Sequence, residues 1–152
     1  MPVAWRIVKA RHAASVLDGE GARRYGGRWN SPGVPVVYAS DSRALAALEV
    51  LAGLGRSAVL AHFLLIPLEF EEKLVATVDP SHLPEDWQES PPPTSTQGMG
   101  DVWIHSKETP VLRVPSVIIP REFNFLLDPR HWDFPEIRVG EPEPLRLDPR
   151  LA

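Results

Sequence analysis

The amino-acid sequence predicts an α+β domain built on a mixed or antiparallel sheet. Three observations carry that prediction. Short β-branched and apolar runs recur along the chain, one segment alone has a strong helical period, and 17 prolines punctuate 152 residues. Prolines at that density break long helices and favour short elements joined by turns. The length suits one domain, residues 1–152, with a single sizeable core. No internal repeat is visible.

The elements follow in order. "VAWRIV" (3–8) alternates apolar and polar residues and reads as a first strand. Residues 18–33, rich in Gly, Arg, Ser and Asn, read as a long loop, the kind of segment that often carries function. "VPVVYAS" (34–40) reads as a second strand with Pro35 at its start, where a missing N–H is tolerated. "SDSRALAALEVLAGLGR" (40–56) is the clearest helix. Ser40 or Asp41 stands ready to cap it, Ala44, Leu45, Leu48, Leu51 and Ala52 recur at helical spacing, and Gly53 and Gly55 stop it.

"SAVLAHFLLIPLEF" (57–70) reads as an interior strand ending near Pro67, and "KLVATV" (73–78) as another. Residues 79–101 lose all period and read as a long connection with one helical turn around Trp87. "ETPVLRVPSVIIP" (108–120) returns to strand, interrupted at Pro115, which predicts an edge or a bulge. "REFNFLLDPRHWDF" (121–134) reads as an aromatic-rich loop, and the last residues as one short strand and a frayed end.

Composition narrows the function classes. Sixteen Lys and Arg against twenty Asp and Glu give a net charge of −4, so the chain lacks a basic nucleic-acid footprint. The charge is uneven: residues 1–28 carry Lys9 and five arginines against Asp18 and Glu20, a distribution suited to facing an anion. There is no cysteine, which excludes disulfides, thiol catalysis and Cys-ligated zinc. No pair among His12, His62, His82, His105 and His131 has metal-ligand spacing, and no metal is expected. No signal pattern or membrane-length apolar run appears, so a soluble cytoplasmic protein without membrane association is expected.

Glu49 is the most informative acid. It sits among Ala46, Ala47, Leu48, Val50, Leu51 and Ala52 on a helix that is apolar on nearly every face and is therefore expected to be buried. Glu is almost never fully buried without a partner, so Glu49 either pairs with a cation or projects into a cleft; a structural ion pair carries about equal weight. Arg28, in "GGRWN", is the candidate partner, its planar fork suiting a carboxylate or a phosphate pair. The frame is neither a Walker loop nor a dinucleotide fingerprint. Tyr38 reads as a core aromatic with its hydroxyl satisfied. Ser116, after Pro115, either binds a ligand or bonds the backbone, and no nucleophile elbow surrounds it. His62 reads as a satisfied core residue. Trp87, Trp103 and Trp132 are core by default, with lining a pocket for a flat ring as the alternative.

Taken together, "GGRWNSPGVPVVYAS", "ALAALEVL" and "LRVPSVIIPREFNFLLDP" resemble the RES-domain family, the toxins of RES–Xre toxin–antitoxin modules, over roughly residues 5–134. The resemblance implies an ADP-ribosyltransferase-like split β-sheet with a nicotinamide dinucleotide in its cleft. It implies Arg28, Tyr38, Glu49 and Ser116 as catalytic residues, with Arg6, Asn30 and Asn124 as further substrate-binding positions. One departure stands out: where family members often read Asn-Pro-x-His-Pro, this chain reads "DPRHW", with Asp128 and Trp132.

The implied activity is loss of NAD by cleavage of the nicotinamide–ribose bond, with water or inorganic phosphate as acceptor and no cofactor beyond NAD as substrate. The alternatives are ADP-ribosyl transfer to a protein and a non-catalytic nucleotide-binding module; an RNA-cleaving toxin is disfavoured by the charge and by the absence of a paired His or Lys set. The implied partner is an Xre-like helix-turn-helix antitoxin covering the active site, with toxin–toxin contacts in the complex and no nucleic acid bound by this chain itself.

Overall fold

The computed structural model describes residues 1–151. Eight strands form one mixed sheet: β1 (Val3–Lys9), β2 (Val37–Ser40), β3 (Phe63–Glu69), β4 (Val75–Thr77), β5 (Val111–Pro115), β6 (Phe123–Leu127), β7 (Arg138–Val139) and β8 (Glu143–Leu145). The order is β4-β5-β6-β2-β1-β3-β7, with β8 also pairing with β3. Only β4 and β5 run parallel. Among the described residues three α-helices accompany the sheet: α1 (Glu20–Tyr25), α2 (Arg43–Leu54) and α3 (Thr94–Ser106). This is the expected α+β class. Among the described residues no helix is long and apolar enough to cross a membrane.

The sheet is weakest at one seam. β1 and β3 pair along their full length, whereas β1 and β2 share a single register pair, Trp5 with Ser40. Arg6 fills the opening beside it: Nη1 donates to Tyr38 O at 3.0 Å and Nε to Val16 O at 3.3 Å. A guanidinium thus satisfies the Tyr38 carbonyl that a continued ladder would have paired, and ties in the Val16 carbonyl beside it. Burial lowers the Arg6 pKa, with Asp18 opposing. On one sheet face Val37, Ala39, Phe125, Leu127 and Val111 join Ile66, Leu68 and Phe70 in a core. On the other, Leu126, Leu112 and Val114 pack with Trp29, Trp103 and Ile104 of the loop and α3. Tyr38, Ser40, Asn124 and Leu126 share that second face because residues two apart on a strand point the same way.

Several expectations need correction. α1 interrupts the loop expected over 18–33: six residues suffice for a short helix that ends where Gly26 adopts φ +73°. α2 is capped by Ser42, whose side chain accepts from Leu45 N at 3.0 Å, rather than by Ser40 or Asp41. It is also far less buried than its apolarity suggests. Only Leu45 and Ala46 are buried, because the helix borders a cleft instead of crossing the core.

Strand β3 starts at Phe63 after a 3-10 turn and runs through Pro67. Gly140 N donates to Pro67 O, so the proline nitrogen faces outward into the break between β7 and β8, where no donor is needed. His62 lies just before this strand and is exposed, outside the core. Residues 123–127 form a strand, not a loop, paired with β5 throughout and with β2 over 124–127. Pro115 ends β5 beyond the reach of the shorter β4, neither edge nor bulge.

The largest omission is α3, within and beyond the expected connection 79–101. Its buried stripe is Thr96, Gly100, Trp103 and Ile104, at helical spacing but composed half of small residues. A hydrophobic-period scan does not register such a stripe.

Candidate active site

A cleft of about 800 Å³ opens between α2, the β1–β2 seam and the loop that follows α1. Arg6, Arg28, Tyr38, Glu49 and Asn124 all line it. The volume falls within the range of about 300–1,000 Å³ usual for small-molecule sites.

Glu49 reaches the cleft from the half-buried side of α2. Ser116 Oγ donates to its Oε2 at 3.0 Å, and Asn124 Nδ2 donates to the same oxygen. Among the described residues Oε1 takes no bond from the protein. Ser116 is fully buried just past β5. Its Oγ accepts from Ile118 N at 3.1 Å and Ile119 N at 3.2 Å. With both lone pairs so engaged, its one hydrogen is left for Glu49. Asn124 Oδ1 in turn accepts from Ser40 Oγ at 2.7 Å. Two donors thus fix the carboxylate through Oε2 and leave Oε1 facing the cleft.

Arg28 stands on the opposite wall and makes no ion pair among the described residues, Glu49 included. Its Nη1 donates to two main-chain carbonyls, Trp87 O at 2.9 Å and Glu89 O at 2.7 Å. Burial lowers its pKa, and the Glu49 charge across the cleft opposes that shift. The remaining donors of the fork are thus left for an anion in the cleft.

The Arg28 loop is fixed from behind. Tyr38 OH donates to Asn30 Oδ1 at 2.7 Å and accepts from Trp29 N at 3.1 Å. Burial pushes the Tyr38 phenol far above its ordinary pKa, against the pull of the Trp29 amide. Asn30, fully buried, bonds Ala22 O at 2.9 Å and Val34 O at 3.0 Å, tying α1 to the approach to β2. It stands behind the cleft wall and does not line it. Gly27 is forced to be small: a Cβ there would lie 2.7 Å from Tyr38 OH.

α3 completes the support. Gln97 Nε2 donates to Gly27 O at 3.0 Å, and Asp101 accepts from Ser31 N at 3.0 Å. Gly100 lies so close to the loop that a Cβ would meet Trp29 O at 1.6 Å.

The aromatic residues at the cleft are Trp5, Tyr25, Trp29 and Tyr38, not the Trp87, Trp103 and Trp132 considered as pocket walls. Trp87 serves through its carbonyl, Trp103 packs against the sheet, and Trp132 is 70% exposed. The "DPRHW" loop lies at the far end of the same strands. There Asp128, 2% exposed, is balanced by Lys107 Nζ at 2.8 Å. His131 is anchored by Lys107 O and Asp133 N. Ser40, Gln97, Gly100 and the carbonyls of Trp87 and Glu89 were not legible as site components. Only the proximity of Ser40 to Tyr38 in "VVYAS" hinted at a shared face.

Fold and site together define a small α+β domain whose cleft sets a hydrogen-bonded carboxylate opposite an unpaired guanidinium, with an Arg–Tyr–Glu–Ser set contributed by four separate segments. The chain belongs to the RES-domain family, whose RES domain profile matches residues 3–148. It is 38% identical over 148 residues to Toxin Res of Yersinia enterocolitica, covering 97% of each chain. It is 38% identical over 152 residues to the Prs ADP-ribosylating toxin of a Sphingobium species, covering 97% of this chain and 94% of that one. Toxin Res of Photorhabdus laumondii is 36% identical over 132 residues, 87% of this chain and 85% of the relative. The fold is similar to a chain of the M. tuberculosis MbcT–MbcA toxin–antitoxin complex, with a TM-score of 0.79 over 98% of this chain and 85% of that one, at 21% identity.

Proposed function

We propose that this RES-family toxin cleaves NAD at the nicotinamide–ribose bond. The observation that carries the reading is the Glu49 carboxylate, fixed through Oε2 and open at Oε1, facing a cleft that Arg28 enters from the other side. Heterolysis of the C1′–N bond sends the bonding pair to the nicotinamide nitrogen and leaves positive charge on the ribose. A preorganised anion in a water-poor cleft stabilises that charge far better than water does. Nicotinamide departs as a neutral molecule, so no general acid is needed. Arg28 holds the pyrophosphate and fixes the pose. Tyr38 walls the nicotinamide side, and Ser116 orients Glu49 without touching substrate. An oxygen of water or phosphate then bonds to C1′ and gives up its proton to solvent.

The test is nicotinamide release from NAD by the purified, antitoxin-free protein in water, in phosphate buffer and with candidate proteins. Release in any arm supports the reading; none in all three overturns it. A second reading, transfer of ADP-ribose to a protein, is favoured by the relative named Prs ADP-ribosylating toxin. Radiolabel from the adenine moiety recovered on protein rather than in free product distinguishes it. The partner that fits this reading is an Xre-like antitoxin that covers the cleft. Pre-mixing with the product of an adjacent antitoxin gene is expected to abolish release.

A further inference from the structure

We propose that Ser40 is a positioning residue for this cleft, whose hydroxyl locks the Asn124 amide in the one orientation that donates to Glu49. The inference rests on the reading of Glu49 as the charge that meets substrate.

Ser40 and Asn124 are directly opposed on β2 and β6, so their side chains are neighbours on the cleft face. Ser40 is 4% exposed. An ionised carboxylate only accepts hydrogen bonds, so the amide atom facing Glu49 is the nitrogen, and the amide oxygen faces Ser40. The Ser40 hydroxyl supplies the single donor that satisfies this oxygen, at 2.7 Å. The two donors to Glu49 are therefore set differently. Ser116 is aimed by two backbone amides, Ile118 N and Ile119 N, which no substitution other than proline removes. Asn124 is held by two side chains, Glu49 at its nitrogen and Ser40 at its oxygen, and Ser40 alone aims it independently of the carboxylate it serves. Without the Ser40 hydroxyl the amide oxygen has no donor among the described residues, and only Glu49 itself still opposes a turn of the amide that brings that oxygen to the carboxylate. An acceptor against an acceptor releases the carboxylate from its fixed pose.

Two readouts test this, and the first needs no NAD. The Asn124 side-chain NH₂ signal is assigned by its loss in Asn124→Ala, and its hydrogen exchange is measured by NMR. In Ser40→Ala exchange is expected to speed about tenfold or more, while Ser40→Thr, which keeps the hydroxyl, restores protection. The second readout is nicotinamide release: Ser40→Ala lowers kcat about tenfold with KM nearly unchanged, and has no further effect in an Asn124→Ala background. If Ser40→Ala fails to fold, Ser40→Cys fills the same space with a weak donor and is expected to show the same losses in part. Unchanged amide exchange in Ser40→Ala, or effects of Ser40→Ala and Asn124→Ala that multiply in full, overturns the inference. Fast amide exchange in Ser40→Ala alongside no nicotinamide release from the unaltered protein would overturn the proposed activity and leave the role of Ser40 standing.

Discussion

On one side of the cleft Glu49 takes its hydrogen bonds from two side chains, Ser116 and Asn124, which project from paired strands and the turn between them. On the other side Arg28 gives its bonds to two main-chain carbonyls of a segment with no regular structure, and its loop is braced by α3. The difference predicts opposite sensitivities. The carboxylate wall depends on the identity of a few residues and tolerates small backbone shifts. The guanidinium wall is indifferent to side chains at the clamp and depends on how closely α3 approaches.

Glu49→Gln should break the first wall most severely. It replaces a charge by an amide of the same shape and is expected to lower nicotinamide release by about 10³-fold, the scale for removing a preorganised electrostatic partner. An unchanged melting temperature separates this from misfolding. Gly100→Ala should break the second wall without altering any side chain that lines the cleft. Its methyl would overlap Trp29 O at 1.6 Å, so α3 and the Arg28 loop must part. Overpacking of this kind costs about 1–3 kcal/mol or more, and release is expected to fall along with the melting temperature. Gly98→Ala on the same helix is the control. Nothing lies within 4 Å of its added Cβ, and it is expected to stabilise by about 0.5–1 kcal/mol.

The same division decides what was legible in the sequence. Glu49 was conspicuous because an acid inside "ALAALEVL" breaks an apolar period, and that irregularity does mark the cleft. The two expectations for it are a cation partner, the usual way to bury an acid, and projection into a cleft, and the second is the one the structure shows. In place of a cation the protein uses two neutral donors, one on β6, whose "FNFLL" was masked by neighbouring aromatic and proline residues. The second wall was harder to read because its components are main-chain atoms and absences of side chains. Carbonyls at 87 and 89 have no residue signature, and a helix that packs through Gly100 and Thr96 carries little apolar period. β1 is legible as a strand from its alternation, and α2 as a helix because its apolar residues recur at helical spacing. The β1–β2 seam, closed by Arg6, leaves no such pattern.

Tyr38 joins the two walls, and its titration sharpens the comparison. Its hydroxyl bonds Asn30 and Trp29, and burial holds the phenol neutral well above its ordinary pKa. Between the unfolded phenol's pKa of about 10 and the higher native value, the folded chain keeps a proton that the unfolded chain has lost. Stability from Tyr38 is therefore fully present below pH of about 10 and falls as pH rises through that window. Urea denaturation from pH 8 to 11 should show this fall. Tyr38→Phe should be weaker at neutral pH by about 1–3 kcal/mol, because the Trp29 amide and the Asn30 oxygen lose their partner, and should show a flatter decline above pH 10. An equal decline in both proteins would place the alkaline sensitivity elsewhere.

The smallest expected effect is the most discriminating for the guanidinium wall. Glu89 is an exposed acid near Arg28, and a charge-pairing view makes its carboxylate the obvious anchor. The structure instead uses its carbonyl, at 2.7 Å, and no ion pair joins the two among the described residues. Glu89→Ala keeps that carbonyl and is expected to change KM for NAD by about twofold or less, the range of an ordinary surface substitution. Glu89→Pro keeps the carbonyl as well but fixes φ and bars helical geometry at the residue before it. It should therefore raise KM while Glu89→Ala does not. A large effect of Glu89→Ala would mean that side-chain charge, rather than backbone geometry, holds Arg28, and the contrast between the two walls would fail.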